Sequence, residues 1–347
     1  MITIVPTLDC NFKCIYCYES NCKDRYYMTR DTAEHIIKYI DTFTPNGGML
    51  RITWFGGEPT LALKLIYYIS DAVSDILLRK NASYFSMIVT NGYLLDKKAA
   101  LRLRSYGVEE ACITIDGCAE SHDIRRPLKS GKETFDTIIK NIIDISDIMN
   151  VCIRYSVDRD NMEEFSKFLD ILEETNIKEK IRIEIIRIEA YSYSDSIVKN
   201  RELSTCEFSK VYPELVKQVI ERKIKIDFLP TQNRTSCSAL LSNHVVIAPR
   251  GELHKCIYTV WNSAESFGRV DKFSKLNENL VKWMNASPTD NQDCKNCKVL
   301  PICVGGCLRS MVINDTVFND SEDRCIQHKY NIEKLIKLKY IQSIFEK

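Results

Sequence analysis

The amino-acid sequence predicts an α/β protein in which a partial (β/α)6 barrel precedes a small cysteine-rich domain. Strand-like and helix-like patterns alternate six times over about 220 residues, and this alternation is typical of a parallel sheet or an incomplete barrel. The alternation stops near residue 226. Beyond it lie a β-hairpin pattern, a cysteine-dense loop and a closing helix, which together indicate a second domain.

Each predicted strand is a short apolar run rich in β-branched residues, and each predicted helix carries apolar residues on one face. Thr29 and Asp31 are capping candidates for the first helix, and Gly107 is a C-terminal signal for the third. The strands are predicted at residues 1–7, 50–55, 84–90, 110–115, 151–157 and 181–190, and the helices at 29–43, 60–80, 96–107, 131–146, 160–175 and 206–223.

The prediction divides the chain into residues 1–225 and residues 226–347. The second part lacks the strand–helix alternation of the first, and its Pro-Arg-Gly sequence is typical of a tight turn. Its elements are a β-hairpin at 244–260 that turns at 249–251, a cysteine-dense loop at 294–307 and a closing helix at 328–346.

The composition is that of an ordinary globular protein, with 45% hydrophobic and 27% charged residues. The formal net charge of +1 gives no electrostatic basis for binding nucleic acid or an anionic membrane. The first residues, MITIVPTLDC, lack the regions of a signal peptide, and no apolar run approaches the roughly 18 residues that span a bilayer. We therefore expect a cytoplasmic protein with no nucleic-acid or membrane partner.

Fifteen cysteines are the main anomaly. Their odd number and the expected reducing compartment favour metal or cluster ligation over disulfides. Cys10, Cys14 and Cys17 have the spacing C-x3-C-x2-C. An iron–sulfur cubane normally takes four cysteine ligands, so three local thiols with no obvious fourth would leave one iron open to a non-protein ligand. Zinc is the alternative, although a structural zinc site needs four closed ligands.

This spacing, with the aromatic residue Tyr16 before the third cysteine, resembles the signature of the radical S-adenosylmethionine (SAM) superfamily. The resemblance implies a TIM-like partial barrel and a 4Fe–4S cluster whose open iron is chelated by the amino and carboxylate groups of SAM. It also implies that Tyr16 is among the SAM-binding residues. In this superfamily the reduced cluster cleaves SAM, and the resulting 5′-deoxyadenosyl radical abstracts a hydrogen atom from the substrate.

A second motif, Gly-Gly-Glu-Pro at residues 56–59, ends the second predicted strand. Alone it would be an ordinary turn. A similar segment in the radical SAM superfamily holds the amino group of SAM, and this resemblance implies that Gly57 and Glu58 bind the cofactor. Glycine lets the backbone come close, and a carboxylate can accept hydrogen bonds from an ammonium group.

Two weaker elements follow the fourth predicted strand. The resemblance implies that Thr114, in ITIDG, contacts the ribose or carboxylate of SAM. It also implies that Arg126, in HDIRR, binds the carboxylate, which a guanidinium can hold bidentately. The alternatives are an ordinary strand residue and a solvated loop charge. Thr90 and Asn91 end the third predicted strand and face the same mouth of the barrel.

The C-terminal cysteines match the spacing of the SPASM domain of radical SAM enzymes, and this resemblance implies two auxiliary 4Fe–4S clusters. A zinc ribbon would explain only part of the set. Fully ligated relatives carry an eighth cysteine shortly before the position of Cys237, but residues 229–236 contain none. The inner cluster is therefore expected to have an open site. A substrate thiol or a non-cysteine ligand could fill it, and Cys206 is a distant candidate ligand. The outer cluster would be held by Cys294, Cys297, Cys303 and Cys325, and the inner one by Cys237, Cys256 and Cys307.

No pair of acid–base residues stands out, so the catalytic residue is unknown. The five histidines are scattered along the chain, and each is expected to be structural or on the surface. The cysteines outside the two motifs are expected to be structural, and these are Cys22, Cys112, Cys118, Cys152 and Cys206.

Because SPASM-type enzymes mostly modify peptides or proteins, the resemblance implies a peptide-modifying oxidoreductase. We expect it to form a thioether or carbon–carbon crosslink in a ribosomally made precursor. One alternative is an anaerobic sulfatase-maturating enzyme that forms formylglycine. Those enzymes have an aspartate base where this chain has Ile257, which disfavours that alternative. The other alternative is a non-catalytic iron–sulfur or zinc-binding scaffold.

The expected partners are a peptide substrate and an external electron donor such as flavodoxin or ferredoxin. Only nine residues precede Cys10, which leaves no room for a leader-binding domain. We therefore expect that a separate protein presents the peptide, or that the barrel and the SPASM domain bind it directly.

Overall fold

Ten β-strands form one largely parallel sheet in the computed structural model of this chain. The structure describes residues 1–19, 22, 25–189, 196–229, 237–272, 277–287, 290–307, 309–312 and 325–345. Within these ranges the strands are β1 (Ile2–Ile4), β2 (Met49–Trp54), β3 (Ser83–Thr90), β4 (Val108–Ile115), β5 (Asn150–Val157), β6 (Ile181–Arg187), β7 (Lys225–Ile226), β8 (Val245–Ile247), β9 (Glu252–His254) and β10 (Gly268–Arg269).

The first seven strands are parallel and follow chain order across the sheet. The predicted hairpin is present as β8 and β9, and Gly251 in its turn has a φ of +89°, in the left-handed region that favours glycine. Strand β8 pairs in parallel with β1, so the hairpin extends the barrel sheet. The third strand after the barrel, β10, was not predicted. The domain boundary at residue 226 stays a prediction.

The six helices predicted between the strands are present, with shorter bounds. Within the described residues, six further helices of eight residues or fewer escaped prediction, at 119–125, 196–201, 278–285, 292–295, 300–303 and 309–312. Segments this short give little apolar periodicity, and two of them replace parts of the predicted cysteine-dense loop. Residue 190 of the predicted sixth strand and residue 346 of the predicted closing helix lie outside the described residues. The helices are α1 (Arg30–Phe43), α2 (Leu63–Lys80), α3 (Lys97–Ser105), α4 (Ala119–Arg125), α5 (Phe135–Ile145), α6 (Phe165–Glu174), α7 (Ser196–Arg201), α8 (Thr205–Glu221), α9 (Glu278–Asn285), α10 (Gln292–Lys295), α11 (Leu300–Cys303), α12 (Arg309–Val312) and α13 (His328–Phe345).

The central strands present an apolar face to the helices and a more polar face to the inside of the barrel. On β4, the fully buried Ala111, Ile113 and Ile115 belong to the main hydrophobic core. Because successive side chains of a strand point to opposite faces, Cys112 and Thr114 lie on the inner face. Polar residues near the carboxyl ends of the strands therefore converge on the mouth of the barrel.

The C-terminal helix α13 packs against α8 and joins the same core through buried Leu335. Two hydrogen bonds fix its position: Asn331 Nδ2 donates to Ser209 O at 3.0 Å, and His328 Nε2 lies 2.9 Å from Phe228 O. This helix begins three residues after Cys325, so its docking restricts where that cysteine can lie. Among the described helices, none combines the length and the apolar character needed to cross a membrane.

A buried ion pair allows a first test of what stabilises this fold. Arg125 Nη2 lies 2.9 Å from Asp158 Oδ1, and the two side chains are only 5% and 3% exposed. Arg125→Ala would leave a buried carboxylate without its partner, so we expect a loss of about 3–5 kcal/mol in unfolding free energy, measured by anaerobic thermal denaturation. The matched control is Arg104→Ala, which removes a 3.7 Å pair with Glu109 whose side chains are 47% and 41% exposed. It should cost less than about 1 kcal/mol, and equal melting temperatures for the two variants would contradict the prediction.

A buried histidine predicts a pH dependence of stability. Burial lowers the pKa of His244 to about 4, and the charge of Lys255 contributes to the shift. The unfolded chain then binds more protons than the folded one between about pH 4 and 6.5. Because burial also lowers the pKa of His254 to about 4, His244 accounts for only part of the total slope, about 1.4 kcal/mol per pH unit as the pH drops through this window. His244→Gln should reduce the slope by this amount in thermal melts at several pH values, and an unchanged slope would contradict the prediction.

Candidate active site

The cysteine loop follows β1 and is fastened to the segment that follows α4. Lys13 N donates to Pro127 O at 2.9 Å, and Ile15 N donates to Arg125 O at 3.0 Å. At the start of the loop, Lys129 Nζ donates to Asp9 Oδ1 at 2.7 Å. These bonds hold Cys10, Cys14 and Cys17 on a fixed backbone path at the mouth of the barrel.

The three thiols of this loop are largely withdrawn from water. Burial raises the pKa of Cys10 and Cys14 to about 12 and that of Cys17 to about 11. Thiols in such a setting lose their protons when they bind a cation, so binding would release protons. The backbone N–H of Phe12 donates to Cys10 Sγ at 3.3 Å, the kind of bond that tunes sulfur ligands of iron clusters.

The spacing of the three sulfurs bears on the zinc alternative. Among the described residues, one group alone has three His, Cys, Asp or Glu ligand atoms mutually within 4.8 Å, and it is not in this loop. In this structure the sulfurs of Cys10, Cys14 and Cys17 therefore do not all lie within 4.8 Å of one another. A cubane carries each cysteine on a separate iron, so its ligands lie farther apart, and this loop suits it better.

The Gly-Gly-Glu-Pro turn after β2 is pressed against the cysteine loop. Glu58 N donates to Asp9 O at 2.8 Å, and Gly57 N donates to Thr7 O at 3.1 Å. A Cβ at Gly57 would lie 2.3 Å from Asp9 O, and one at Gly56 would lie 2.4 Å from Thr7 O. The two glycines are therefore required by the close approach of the two backbones.

The Glu58 carboxylate is fully buried and bound by the protein's own donors. Its Oε1 accepts from Thr60 N at 3.0 Å, Thr60 Oγ1 at 2.5 Å and Thr90 Oγ1 at 2.6 Å, and its Oε2 accepts from Asn91 N at 2.7 Å. Burial raises the pKa of this carboxyl, and the bonds from Asn91 and Thr60 oppose that rise. These hydrogen bonds connect the Gly-Gly-Glu-Pro turn to the end of β3.

Asn91 links the end of β3 to the cysteine loop. Its Nδ2 donates to Asn11 Oδ1 at 2.8 Å and lies 3.9 Å from Cys10 Sγ. The sequence pointed to Asn91 only as a residue at a strand end, and it gave no sign of the role of Asn11. That pairing joins residues 80 positions apart, so no local pattern reports it.

A second network forms on the other side of the loop, around Asp116. Tyr16 Oη donates to Asp116 Oδ2 at 2.5 Å, and Arg126 Nη1 donates to Tyr16 Oη at 2.6 Å. Within the part of the chain that is described, Asp116 Oδ1 and Arg126 Nε are buried without a hydrogen-bond partner. Such orphaned polar atoms suit a polar ligand. The sequence predicted Tyr16 and Arg126 separately, while Asp116 was missed, although a polar residue before Gly117 at a strand end was a usable signal.

Thr114 lies on β4, two residues before Asp116, on the inner face of the sheet. Its register partner on β5 is Arg154, which in turn pairs with Glu184 on β6. Thr114 therefore lies at the mouth of the barrel, at the same end of β4 as Asp116.

Electrostatic interactions link the C-terminal cysteines in two sets, while their assignment to two clusters stays a prediction from the family resemblance. Burial raises the pKa of Cys256 to about 12, with a contribution from Cys307 and Cys237. Burial also raises the pKa of Cys294, with contributions from the other three members of the outer group. Lys329 Nζ donates to Cys325 Sγ at 3.4 Å. The cysteine-free stretch at 230–236 lies outside the described residues, and Cys206 is the second residue of α8. The outer group is Cys294, Cys297, Cys303 and Cys325.

In this chain a parallel partial barrel carries a loop with three cysteines after its first strand. These features define a class of barrel proteins whose cysteine-rich centre lies at the mouth of the barrel. A model of the Radical SAM superfamily matches residues 4–172, a little under half of the chain, and identifies this part as a Radical SAM domain. Such a domain implies SAM and one 4Fe–4S cluster. The residues present fit these groups: three partly buried thiols share one loop, orphaned polar atoms flank it, and two glycines admit a close backbone approach.

The curated relatives include proteins that the chain matches over very different lengths. It is 37% identical over 130 residues to an uncharacterized protein of Methanocaldococcus jannaschii, which is 37% of this chain and 43% of that protein. It is 25% identical over 366 residues to the radical SAM cyclopropyl synthase TigE of Paramaledivibacter caminithermalis, which is 97% of this chain and 74% of that protein. The chain thus spans less than half of the first of these relatives.

Solved structures show the same fold. A structure of anSMEcpe with bound AdoMet and the Cp18Cys peptide matches with a TM-score of 0.75 and 19% identity, covering 99% of both chains. Streptococcus suis SuiB bound to the precursor peptide SuiA matches with a TM-score of 0.66 and 15% identity, covering 94% of this chain and 74% of that one. At these identities the likeness establishes the fold alone.

The close contact at Gly57 predicts the effect of one methyl group. Gly57→Ala would place a Cβ 2.3 Å from Asp9 O and force the turn away from the cysteine loop. We expect SAM to bind at least about tenfold more weakly, equivalent to about 1.4 kcal/mol, measured by anaerobic calorimetry on protein with its full iron content. The control is Gly131→Ala, at a φ of +81° but with no atom within 4 Å of the added Cβ. Unchanged SAM affinity in Gly57→Ala would refute the steric argument.

Proposed function

We propose that the protein is a SPASM-type radical SAM oxidoreductase that modifies a peptide. The observation that carries the proposal is the meeting of the cysteine loop, the Gly-Gly-Glu-Pro turn and the Asp116 network at the carboxyl ends of β1, β2 and β4. Open α/β sheets bind ligands at this end of their strands. The alignment with TigE over 97% of this chain supports an enzyme of this type.

In this proposal Cys10, Cys14 and Cys17 hold the cluster. When bound, the cluster and SAM would supply the hydrogen-abstracting 5′-deoxyadenosyl radical chemistry of this superfamily. The contribution of the chain is to position these groups and exclude water. The partly buried thiols would bind iron as thiolates, and the hydrogen bonds between the loop and residues 125–129 would hold the loop in place.

SAM would bind between the turn and the Asp116 network. Arg126, with its buried and unpaired Nε, would donate to the SAM carboxylate, and Tyr16 would line the same site. The backbone at Gly57 and the side chain of Thr114 complete the proposed contacts. The direct contact predicted for Glu58 stays a prediction, since its known bonds support a role in holding the turn.

The C-terminal cysteines would hold two auxiliary 4Fe–4S clusters. Their grouping into a set of four and a set of three supports this assignment. The inner set would leave one iron without a cysteine, unless Cys206 or a non-cysteine ligand fills the position. An auxiliary cluster would accept the surplus electron when the crosslink closes.

The proposed substrate is a ribosomally made peptide, and the proposed product is a thioether or carbon–carbon crosslink. Support comes from the fold shared with anSMEcpe and SuiB, whose structures contain bound peptides. Sulfatase maturation is the second candidate, favoured by the fold match that covers 99% of both chains. Against it stands Ile257, which begins a one-turn 3-10 helix after Cys256 and cannot accept a proton.

The test is an anaerobic incubation of reconstituted protein with SAM, dithionite and a peptide encoded by a neighbouring gene. We expect 5′-deoxyadenosine and a peptide lighter by two hydrogens (about 2 Da), with no reaction towards a carbonyl-specific hydrazide. Cys14→Ala should abolish SAM cleavage. Cys307→Ala should retain SAM cleavage but lose the peptide product. Cys118→Ala, at a buried cysteine outside both motifs, is the matched control and should behave as wild type.

The alternatives give different results in the same assay. Hydrazide-reactive formylglycine on a sulfatase peptide would establish sulfatase maturation. Protein that contains zinc in place of iron and does not cleave SAM would support the scaffold. A peptide of unchanged mass beside released 5′-deoxyadenosine would exclude that peptide as the substrate. Replacing dithionite with flavodoxin or ferredoxin tests the proposed electron donor, and adding a separate leader-binding protein tests the proposed mode of peptide presentation.

A further inference from the structure

Two cysteines that neither motif uses meet on the inner face of the barrel. Cys112 on β4 and Cys152 on β5 are register partners, and their side chains are only 1% and 0% exposed. Both belong to the cysteines that the sequence suggested were structural. They lie outside the main hydrophobic core formed with the helices, so packing against helices does not explain their position.

Glu184 on β6 completes a group of three ligand-type side chains. Its carboxylate oxygen and the two sulfurs all lie within 4.8 Å of one another. Across the described residues this is the single group of three with that geometry. Three neighbouring strands of a parallel sheet supply one residue each, so the ladder hydrogen bonds fix the relative positions of the three side chains.

A neighbouring arginine holds the carboxylate in place. Arg154 Nε donates to Glu184 Oε2 at 2.8 Å, which leaves Oε1 available. Carboxylates that ligate metals are commonly held by such a hydrogen bond. The second arginine beside the group, Arg182, is already paired with Glu110 at 2.6 Å. The group therefore has one oriented oxygen and two buried sulfurs facing a common point.

Charge balance favours a divalent cation at that point. A divalent ion that displaces two thiol protons leaves the net charge of the buried group unchanged. The charges of the two thiolates, Glu184, Arg154 and the divalent ion then sum to zero. Soft thiolate ligands select zinc over magnesium or calcium. The side chain of Glu184 is 39% exposed, so water can reach the ion from the inside of the barrel.

We propose that Cys112, Cys152 and Glu184 bind a zinc ion in the inner wall of the barrel, with water in the fourth position. Three protein ligands and one open position are the arrangement of zinc sites that bind a further ligand. Cys112 precedes Thr114 by two residues on β4, so the ion would lie below the proposed SAM site, in the cavity that a substrate enters. The site uses none of the cysteines assigned to clusters and is independent of the proposed reaction.

The experiment adds zinc sulfate to the anaerobically reconstituted protein, removes unbound metal on a desalting column, and measures zinc and iron in each variant. We expect about one zinc per chain with a zinc X-ray absorption shell of two sulfurs at about 2.3 Å and oxygens at about 2.0–2.2 Å. Cys112→Ser should lose the bound zinc and keep its iron. The matched control, Cys118→Ser, should retain both metals.

Glu184→Gln provides a second variant if Cys112→Ser fails to fold, because the Glu184 side chain is partly exposed. It should weaken zinc binding at least about tenfold without changing the iron content. Three results would overturn the proposal: wild-type protein that retains no zinc, zinc retained in full by Cys112→Ser and Glu184→Gln, or a shell of three or four sulfurs. A shell of three or four sulfurs would place the zinc in an unfilled cluster site. Iron content and peptide modification are measured separately. Protein that keeps its full iron content but leaves the peptide unmodified would refute the proposed function and leave the zinc proposal standing.

Discussion

One buried carboxylate holds the mouth of this barrel together. Glu58 accepts four hydrogen bonds from Thr60, Thr90 and Asn91 while shielded from water. A buried carboxylate without such donors would be strongly unfavourable, so Glu58 and its donors stay together in the folded state. The ends of β2 and β3 are thereby fixed to each other. Asn91 extends the constraint to the cysteine loop through Asn11, and the backbone contacts of the turn with Thr7 and Asp9 complete it.

Two adjacent arginines show how the same side chain serves stability and ligand binding. Arg125 is paired with Asp158 through both its Nε and Nη2 atoms. The side chain of Arg126 donates a hydrogen bond to Tyr16 and lies 4.0 Å from Asp116 Oδ1, while its Nε is buried without a hydrogen-bond partner among the described residues. Burial raises the pKa of Asp116, and the nearby charge of Arg126 opposes that rise. The first arginine therefore anchors α4 to the barrel, and the second retains the capacity to bind an anion.

The sequence was sufficient to predict the features that depend on local spacing. The six strand–helix units and the hairpin follow from apolar periodicity and turn residues, and the cysteine motifs follow from their spacing. Features that depend on contacts between distant residues could not be predicted. The pairing of β8 with β1 joins residues more than 240 positions apart, and the meeting of Cys112 with Cys152 depends on strand register. Asp116 was missed because its role appears only when Tyr16 and Arg126 come together around it.

The parallel pairing of β8 with β1 has a consequence for how the chain can be divided. Strand β1 is an inner strand of the sheet only because β8 covers its free edge. A fragment ending at residue 225 would expose the backbone N–H and C=O groups of Ile2, Thr3 and Ile4, and uncovered strand edges promote pairing between chains. Removing the cysteine-rich region would therefore create an uncovered strand edge directly beside the loop that carries Cys10.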